Sequence, residues 1–247
     1  MQIDAIKTHK ITSSDQSVFK ILDKYLTEFE ERNILCITSK IVSICEGRIT
    51  PVDGSNKDEL VKEESEYFLP KEENKYGFHL TITQNLLIPA AGIDESNGNG
   101  YYILWPENPQ DSANKIREYL VKRFDIRYAG AIITDSKTTP LRWGTTGVAI
   151  AYSGFSPLND YIGKPDLFDR EMRVTQSNIM DGLAAGAVAI MGEGQEQTPL
   201  AVIKDIPNVN FRDTNPADEE VSSLKIDLDT DVYSSILKRA PWKKGKK

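Results

Sequence analysis

A chain of 247 residues is long enough to bury a substantial core, in one large domain or two small ones. Its 39% hydrophobic and 27% charged residues exclude a disordered chain, and no apolar run approaches the ~20 residues that cross a bilayer. The net charge of -7 disfavours a generalised nucleic-acid surface, and a count of only 2 histidines excludes a histidine-built zinc centre. We therefore expect a cytoplasmic protein that binds no nucleic acid and no membrane, with any metal held by oxygen ligands.

The two cysteines, Cys36 and Cys45, both lie in apolar stretches. Buried free thiols are favoured over a disulfide or a metal-binding role, because cytosolic proteins rarely hold disulfides. The first residues show no basic region followed by an apolar stretch, so no secretory signal is expected there.

Hydrophobic spacing predicts the elements of the first half of the chain. Residues 13–31 carry apolar side chains at helical intervals, and Ser13 with Gln16 is a candidate capping box at the start. Residues 34–38 form a short apolar run of the kind found in buried strands. The predicted elements of this half are helices at 13–31 and 56–68 and strands at 34–38, 79–83 and 101–105.

The second half predicts further helices and strands without a regular βαβ repeat, which favours an α+β fold with mixed sheets and packed helices. We expect one domain over residues 1–210, in which the loop-like residues 153–170 are a candidate boundary between two lobes. Residues 211–247 are expected to be a C-terminal extension. The predicted elements of this half are helices at 111–124 and 178–191 and strands at 129–134, 147–151 and 200–203.

Three acidic segments each place a carboxylate beside glycines or hydroxyl residues at the end of a predicted element. Asp94 lies in a glycine-rich turn, and Asp135 with Ser136 ends a strand. Glu196 follows the apolar helix predicted near the end of the domain. Carboxylate and hydroxyl oxygens are the ligands that Mg²⁺ and Mn²⁺ prefer, and these ions commonly bridge protein to phosphate. The alternative for each segment alone is structural, as a tight turn, a helix cap or a solvated loop.

Two basic side chains are candidates for contacts with phosphate or carboxylate groups. Lys40 follows the strand predicted at 34–38, and Arg142 lies in the segment PLRWG at 140–144. Solvation at the surface explains either side chain equally well. The chain has no Walker-type and no dinucleotide-binding glycine motif, so it would bind a nucleotide through an uncommon fold.

Several segments in a fixed order, spread over residues 34–203, are similar to those of one known family. They are TSKIVS (38–43) with EGR (46–48), AGIDESN (91–97), LWPENP (104–109), IITDS (132–136), PLRWG (140–144), PLNDYIG (157–163) and MGE (191–193). The chain thereby resembles the coenzyme F420-0:L-glutamate ligases, or F420-0:gamma-glutamyl ligases, which build the γ-glutamyl tail of a deazaflavin coenzyme. So many ordered matches are far more specific than any single motif.

The resemblance implies an amide ligase that uses GTP, or ATP, and two divalent ions, Mg²⁺ or Mn²⁺, on an α+β fold that forms an intertwined homodimer. Its substrates would be L-glutamate and a cofactor acid, either a deazaflavin or a folate-like compound. The implied metal ligands are Asp94, Asp135, Ser136 and Glu196. The implied nucleotide contacts are Lys10, Ser39, Lys40, Asn97 and Gln195. Lys40 and Arg142 are the predicted catalytic cations.

The chain departs from the family pattern at positions that bear on the acceptor. Ile44 stands where many members carry a lysine, Thr138 and Thr139 stand where a Gly-Arg pair is common, and Leu141 stands where an aromatic residue is common. Three hypotheses remain open: an F420-type γ-glutamyl ligase, a ligase of the same mechanism acting on a folate or another pterin-like acid, and a catalytically silent nucleotide-binding homologue.

Overall fold

The chain forms thirteen β-strands and seven α-helices, and the computed structural model describes residues 1–247. The strands are β1 (Gln2–Ile6), β2 (Ile34–Thr38), β3 (Ile49–Pro51), β4 (Tyr67–Phe68), β5 (Leu80–Thr83), β6 (Leu86–Pro89), β7 (Tyr101–Ile103), β8 (Gly130–Thr138), β9 (Thr145–Ser153), β10 (Leu158–Asp160), β11 (Gln176–Asn178), β12 (Leu200–Lys204) and β13 (Lys243–Lys244). The helices are α1 (Val18–Tyr25), α2 (Ser39–Cys45), α3 (Lys57–Glu64), α4 (Pro109–Phe124), α5 (Ile179–Met191), α6 (Asp218–Ser222) and α7 (Ser234–Leu237).

A five-stranded mixed sheet with the order β1-β12-β2-β8-β9 forms the centre of the molecule. Only β2 and β8 are parallel, with Ile34 opposite Gly130 and Thr38 opposite Thr134. Both faces of this sheet are covered, which explains why its inner strands β2 and β12 are nearly continuous apolar runs rather than alternating ones. Because these two strands are parallel and in register, the residues that follow Thr38 and Thr134 lie side by side at the same end of the sheet.

Helices cover the two faces of the central sheet and make three layers. On one face, α1, α2 and α4 pack on the side chains of Leu35 and Ile37. On the other face, α5 packs on Ile34 and Cys36. The alternation of burial along β2 is the period of two expected for a strand. The predicted α+β class with mixed sheets and packed helices is confirmed.

Smaller sheets lie beside the central one and bring the end of the chain back onto residues 46–105. The first has the order β13-β4-β5-β6, a second pairs β3 with β7, and a third pairs β10 with β11. In the first, Lys243 lies opposite Phe68, so the segment predicted as a C-terminal extension supplies an edge strand. No helix is both long and apolar enough to cross a bilayer.

Several predicted boundaries were wrong. Helix α1 begins at Val18, and its cap is Ser17, whose hydroxyl accepts from the Lys20 amide at 3.4 Å, so the capping box at Ser13 does not form. Residues 153–170 contain β10, which pairs with β11 in a hairpin, the arm (residues 158–178), instead of a plain loop. Strand β8 continues beyond Thr134, so Asp135 lies within a strand. Pairing with β9 sustains that extension, and local sequence does not reveal such pairing. Cys36 and Cys45 are both free thiols, as predicted, but only Cys36 is buried and Cys45 is partly exposed.

Gly154 is a position where the fold tolerates no side chain. Its φ is +86°, and a Cβ there would lie 1.9 Å from the carbonyl oxygen of Ala129. We expect Gly154→Ala to lower the free energy of unfolding by roughly 3 kcal/mol, because backbone strain and a clash with main chain add together. The matched control is Gly182→Ala in α5, where nothing lies within 4 Å; it should stabilise by about 0.5–1 kcal/mol. Urea unfolding of both variants measures the contrast, and equal effects would contradict it.

Candidate active site

Nine of the ten predicted site residues line one cavity of about 730 Å³. The cavity opens at the edge of the central sheet where β2 and β8 lead out, and the segments 8–12, 88–105 and 188–199 close it on other sides. The nine residues are Lys10, Ser39, Lys40, Asp94, Asn97, Asp135, Ser136, Gln195 and Glu196. A cavity of this size lies within the range of small-molecule sites.

Asp135 lies at the base of the cavity and accepts hydrogen bonds from three neighbours. The Ser39 hydroxyl donates to its Oδ2 at 2.8 Å, and the Trp105 indole N–H donates to the same oxygen. The Ser136 amide donates to Oδ1 at 2.6 Å. Burial raises the pKa of Asp135 to about 6 although these donors oppose the shift. The carboxylate is therefore short of positive charge in its own surroundings.

Asp94 lies across the cavity in the turn that follows Ala90 and Ala91, both of which have a positive φ. Its Oδ2 is 2.6 Å from the ammonium of Lys40, and the Ser96 amide donates to Oδ1 at 2.7 Å. Burial alone would raise the pKa of Asp94, but Lys40 and Ser96 hold it below its usual range. Asp94 is thus ionised and already carries a counter-charge.

Glu196 lies in the loop between α5 and β12, and this loop is tied to the other acidic segments. The Gly194 amide donates to Glu196 Oε2 at 2.8 Å, and the Asn97 side chain donates to the Gly194 carbonyl at 3.1 Å. The Ser136 hydroxyl donates to Glu193. All three predicted acidic segments therefore meet at one cavity, which sequence distance alone did not reveal.

Lys10 lies on a segment that a histidine holds in place. His9 Nδ1 is 2.7 Å from the Tyr25 hydroxyl, and His9 Nε2 is 2.9 Å from Asp15. The Thr8 amide donates to the Gln197 carbonyl at 2.9 Å, which joins this segment to the loop that carries Glu196. Both ring nitrogens of His9 are engaged, so we interpret this histidine as a support for the cavity wall.

Among the lining residues that sequence reasoning did not predict, His9, Trp105 and Glu193 make side-chain hydrogen bonds that shape the cavity. Trp105 and Glu193 lie inside segments that carry the family resemblance, and that placement was the available signal. His9 had no such signal, because its partner Tyr25 lies in a helix sixteen positions later.

Arg142 is the one predicted site residue that the structure does not bring to the cavity within one chain. It lies in the exposed turn between β8 and β9, flanked by Leu141 and Trp143, which are 104% and 89% exposed. Its predicted catalytic role stays a prediction.

The donor set suits the divalent cations that the resemblance implies, although no group of three or more acidic, cysteine or histidine side chains converges on one point. Asp94, Asp135, Ser136 and Glu196 offer hard oxygen atoms around one cavity. The charge of Asp94 contributes to the raised pKa of Asp135, so the two carboxylates sense each other. A cation between the two carboxylates would offset the desolvation cost of their charges and the repulsion between them.

Comparison with known proteins places the chain in a family. A profile of the family described as F420-0:Gamma-glutamyl ligase matches residues 5–205. A protein of Methanococcus maripaludis strain C6 named Coenzyme F420:L-glutamate ligase is 32% identical over 223 residues, which cover 84% of this chain and 89% of that protein. One of the same name from Methanopyrus kandleri is 33% identical over 200 residues, or 72% and 77% of the two chains. Another, from M. maripaludis strain C7, is 41% identical over 137 residues, or 55% and 54%. The chain belongs to the F420-0:gamma-glutamyl ligase family.

Proposed function

We propose that this protein is a nucleotide- and metal-dependent ligase that joins L-glutamate to a carboxylate of a cofactor acid through an amide bond. The observation that carries the proposal is the meeting of Asp94, Asp135 and Glu196 with Lys40 at one cavity. Family membership and the names of the relatives support glutamate as the amine substrate.

The proposed reaction has two steps. First, a carboxylate oxygen of the acceptor attacks the γ-phosphorus of GTP or ATP, the bond to the β-γ bridging oxygen breaks, and an acyl phosphate forms. The amine of L-glutamate then attacks the acyl carbon, inorganic phosphate leaves with the electron pair of the carbon–oxygen bond, and the new amide nitrogen loses its proton. Phosphoryl transfer of this kind depends mainly on positioning and on stabilised negative charge.

Each of the nine predicted side chains that line the cavity has a role in this scheme that follows from its position. Mg²⁺ or Mn²⁺ held by Asp94, Asp135, Ser136 and Glu196 would supply positive charge to the triphosphate. The ammonium of Lys40 supplies a further positive charge within the same cavity. Ser39, Asn97, Lys10 and Gln195 line the cavity at positions suited to hold the nucleotide.

The acceptor is proposed to be a deazaflavin of the F420 type, with a folate-like acid as the second candidate. The departure at Ile44 favours the second candidate, because Ile44 is buried, lines the cavity, and replaces a positive charge that many family members carry there. Thr139 and Leu141 lie in the exposed turn that also holds Arg142, so their substitutions do not alter the cavity of the same chain.

Mass spectrometry of the products tests the proposal. The protein is incubated with L-glutamate, GTP or ATP, Mg²⁺ or Mn²⁺, and either the deazaflavin acid or a folate. A gain of one glutamyl unit on only one acceptor identifies the substrate. If the protein binds nucleotide but neither acceptor gains a glutamyl unit and no nucleotide is turned over, the result would instead favour a catalytically silent nucleotide-binding homologue.

We also propose a homodimer in which the arm takes part. Leu167 and Phe168 at its tip are 97% and 83% exposed, and burying such side chains stabilises an interface by roughly 1.5–3 kcal/mol each. The double variant Leu167→Asp/Phe168→Asp should therefore shift a dimer to a monomer in light scattering coupled to gel filtration. Val232→Asp is the matched control, because Val232 is 86% exposed but lies on the extension. A wild-type monomer would contradict the proposal.

A further inference from the structure

Trp105 is a buried side chain whose polar atom points at the carboxylate predicted to hold a cation. Its relative exposure is 3%, and its indole N–H donates to Oδ2 of Asp135. Trp105 follows β7 of a small sheet, whereas Asp135 lies on β8 of the central sheet. The hydrogen bond therefore links two separate parts of the fold at the cavity.

The indole has little freedom to leave this position. A Cβ at Gly92 would lie 2.2 Å from the indole nitrogen, so the ring packs directly on the main chain there. Gly92 also has a φ of +71°, which favours glycine. On the other side, Arg48 Nε donates to the Trp105 carbonyl at 3.0 Å, and Arg48 Nη2 is held by Glu64 at 2.7 Å.

A count of hydrogen bonds on Asp135 shows what the indole does to the carboxylate. An ionised carboxylate accepts about two hydrogen bonds on each oxygen. Oδ2 receives both of its donors, from Trp105 and Ser39, and is saturated. Oδ1 receives one donor, from the Ser136 amide, and keeps one acceptor position. Without the indole N–H, Oδ2 would also have a free position, and the carboxylate could turn.

We propose that Trp105 is a positioning residue that fixes Asp135 so that it offers a divalent cation a single acceptor position, on Oδ1. This inference rests on the proposed function, since it assigns a role to Trp105 within the proposed cation site. A partner that orients a metal ligand typically changes metal affinity by 10- to 100-fold when it is removed. The competing explanation is that Trp105 only fills space in the core, in which case its N–H would not matter.

An isosteric replacement separates these explanations. 3-Benzothienylalanine keeps the shape of tryptophan and replaces the N–H with sulfur, and it can be incorporated in a tryptophan auxotroph. The chain has 3 tryptophans, so the test is carried out in the double variant Trp143→Phe/Trp242→Phe, in which Trp105 is the single remaining tryptophan. The same double variant with ordinary tryptophan is the reference. Electron paramagnetic resonance of free Mn²⁺ measures cation binding without turnover.

We expect the isostere to weaken Mn²⁺ binding by ~10- to 100-fold, with an unchanged KM for glutamate and an unchanged circular dichroism spectrum. Trp105→Phe and Gly92→Ala should weaken binding in the same direction, the second because its new methyl group displaces the indole. Equal Mn²⁺ affinity of isostere and reference would overturn the role of Trp105 and leave the proposed function standing. If neither the reference protein nor the wild type binds Mn²⁺, both the role of Trp105 and the proposed metal-dependent function are overturned.

Discussion

Asp135→Asn should lower turnover by at least ~100-fold while leaving the fold intact. The substitution removes the negative charge at the base of the cavity but keeps the volume of the side chain. Charge on this residue is what a divalent cation would need, because the neighbouring donors are all neutral: Ser39, Trp105 and Ser136. Steady-state kinetics and Mn²⁺ binding measure the loss. Asp125→Asn is a matched control on the exposed end of α4, where the backbone is left-handed and asparagine fits as well as aspartate.

The same substitution should have a different effect on stability, and this separates function from folding. Burial raises the pKa of Asp135 to about 6, above its ordinary value of 3.8, so the metal-free folded protein binds this proton more tightly than the unfolded chain. The stability that this group contributes is present below pH ~4 and is lost as the pH rises through 6. At pH 8 the buried charge costs roughly 2–3 kcal/mol.

Asparagine removes that cost but places an amide N–H₂ next to one of the donors of Asp135, which loses a hydrogen bond worth about 1–2 kcal/mol. Metal-free Asp135→Asn should therefore be about as stable as wild type at pH 8, and its stability should no longer fall between pH 4 and 7. Urea unfolding across this pH range, in the presence of a chelator, measures both. Near-normal turnover of the variant would refute the assignment of Asp135 as a cation ligand.

The central fold was predictable where the signal is local and apolar. The run at 34–38 and the alanine-rich helix at 178–191 match β2 and α5 closely, because a strand buried on both faces and a helix packed on the sheet both leave a strong apolar pattern. The apolar composition of α5 overstates its burial, since Ile190 is 54% exposed. The end of β8 was not predictable. Polar residues from Asp135 to Thr138 remain in the strand only because β9 pairs with them.

The site was predictable from the ordered segments and not from geometry. Asp94, Asp135 and Glu196 are each separated by about forty residues or more, and only the sheet and its loops bring them to one cavity. Trp105 was missed because a tryptophan in an apolar setting indicates packing, and its polar atom acquires a role only from the carboxylate it meets. Arg142 was predicted from a segment that matches the family, but it does not line the cavity of its own chain.

Lys40→Met should change activity and cation affinity in opposite directions. The Lys40 ammonium lies 2.6 Å from Oδ2 of Asp94 and also donates to the Ser96 carbonyl at 2.9 Å. In the metal-free protein it therefore occupies the place of a cation on Asp94. A divalent ion that binds Asp94 must displace the ammonium or share the carboxylate with it.

Methionine keeps the length and apolar stem of the side chain and removes its charge. Without the competing ammonium, Mn²⁺ should bind the nucleotide-free variant ~5-fold more tightly, which corresponds to about 1 kcal/mol, the upper end of what a partly exposed ion pair contributes. Turnover should nevertheless fall by at least ~100-fold, because the triphosphate loses a fixed positive charge in a cavity where such charge is preorganised.

Lys57→Met is the matched control for this pair of measurements. Lys57 lies 3.8 Å from Glu95, the neighbour of Asp94, but does not line the cavity. Its variant should keep wild-type turnover and Mn²⁺ affinity to within about 2-fold, since exposed ion pairs contribute little. If Lys40→Met weakens Mn²⁺ binding instead, Lys40 helps to build the cation site rather than competing for it. If Lys40→Met instead binds Mn²⁺ more tightly but loses turnover, the ammonium of Lys40 acts on the transferred phosphate and leaves Asp94 when a cation binds there.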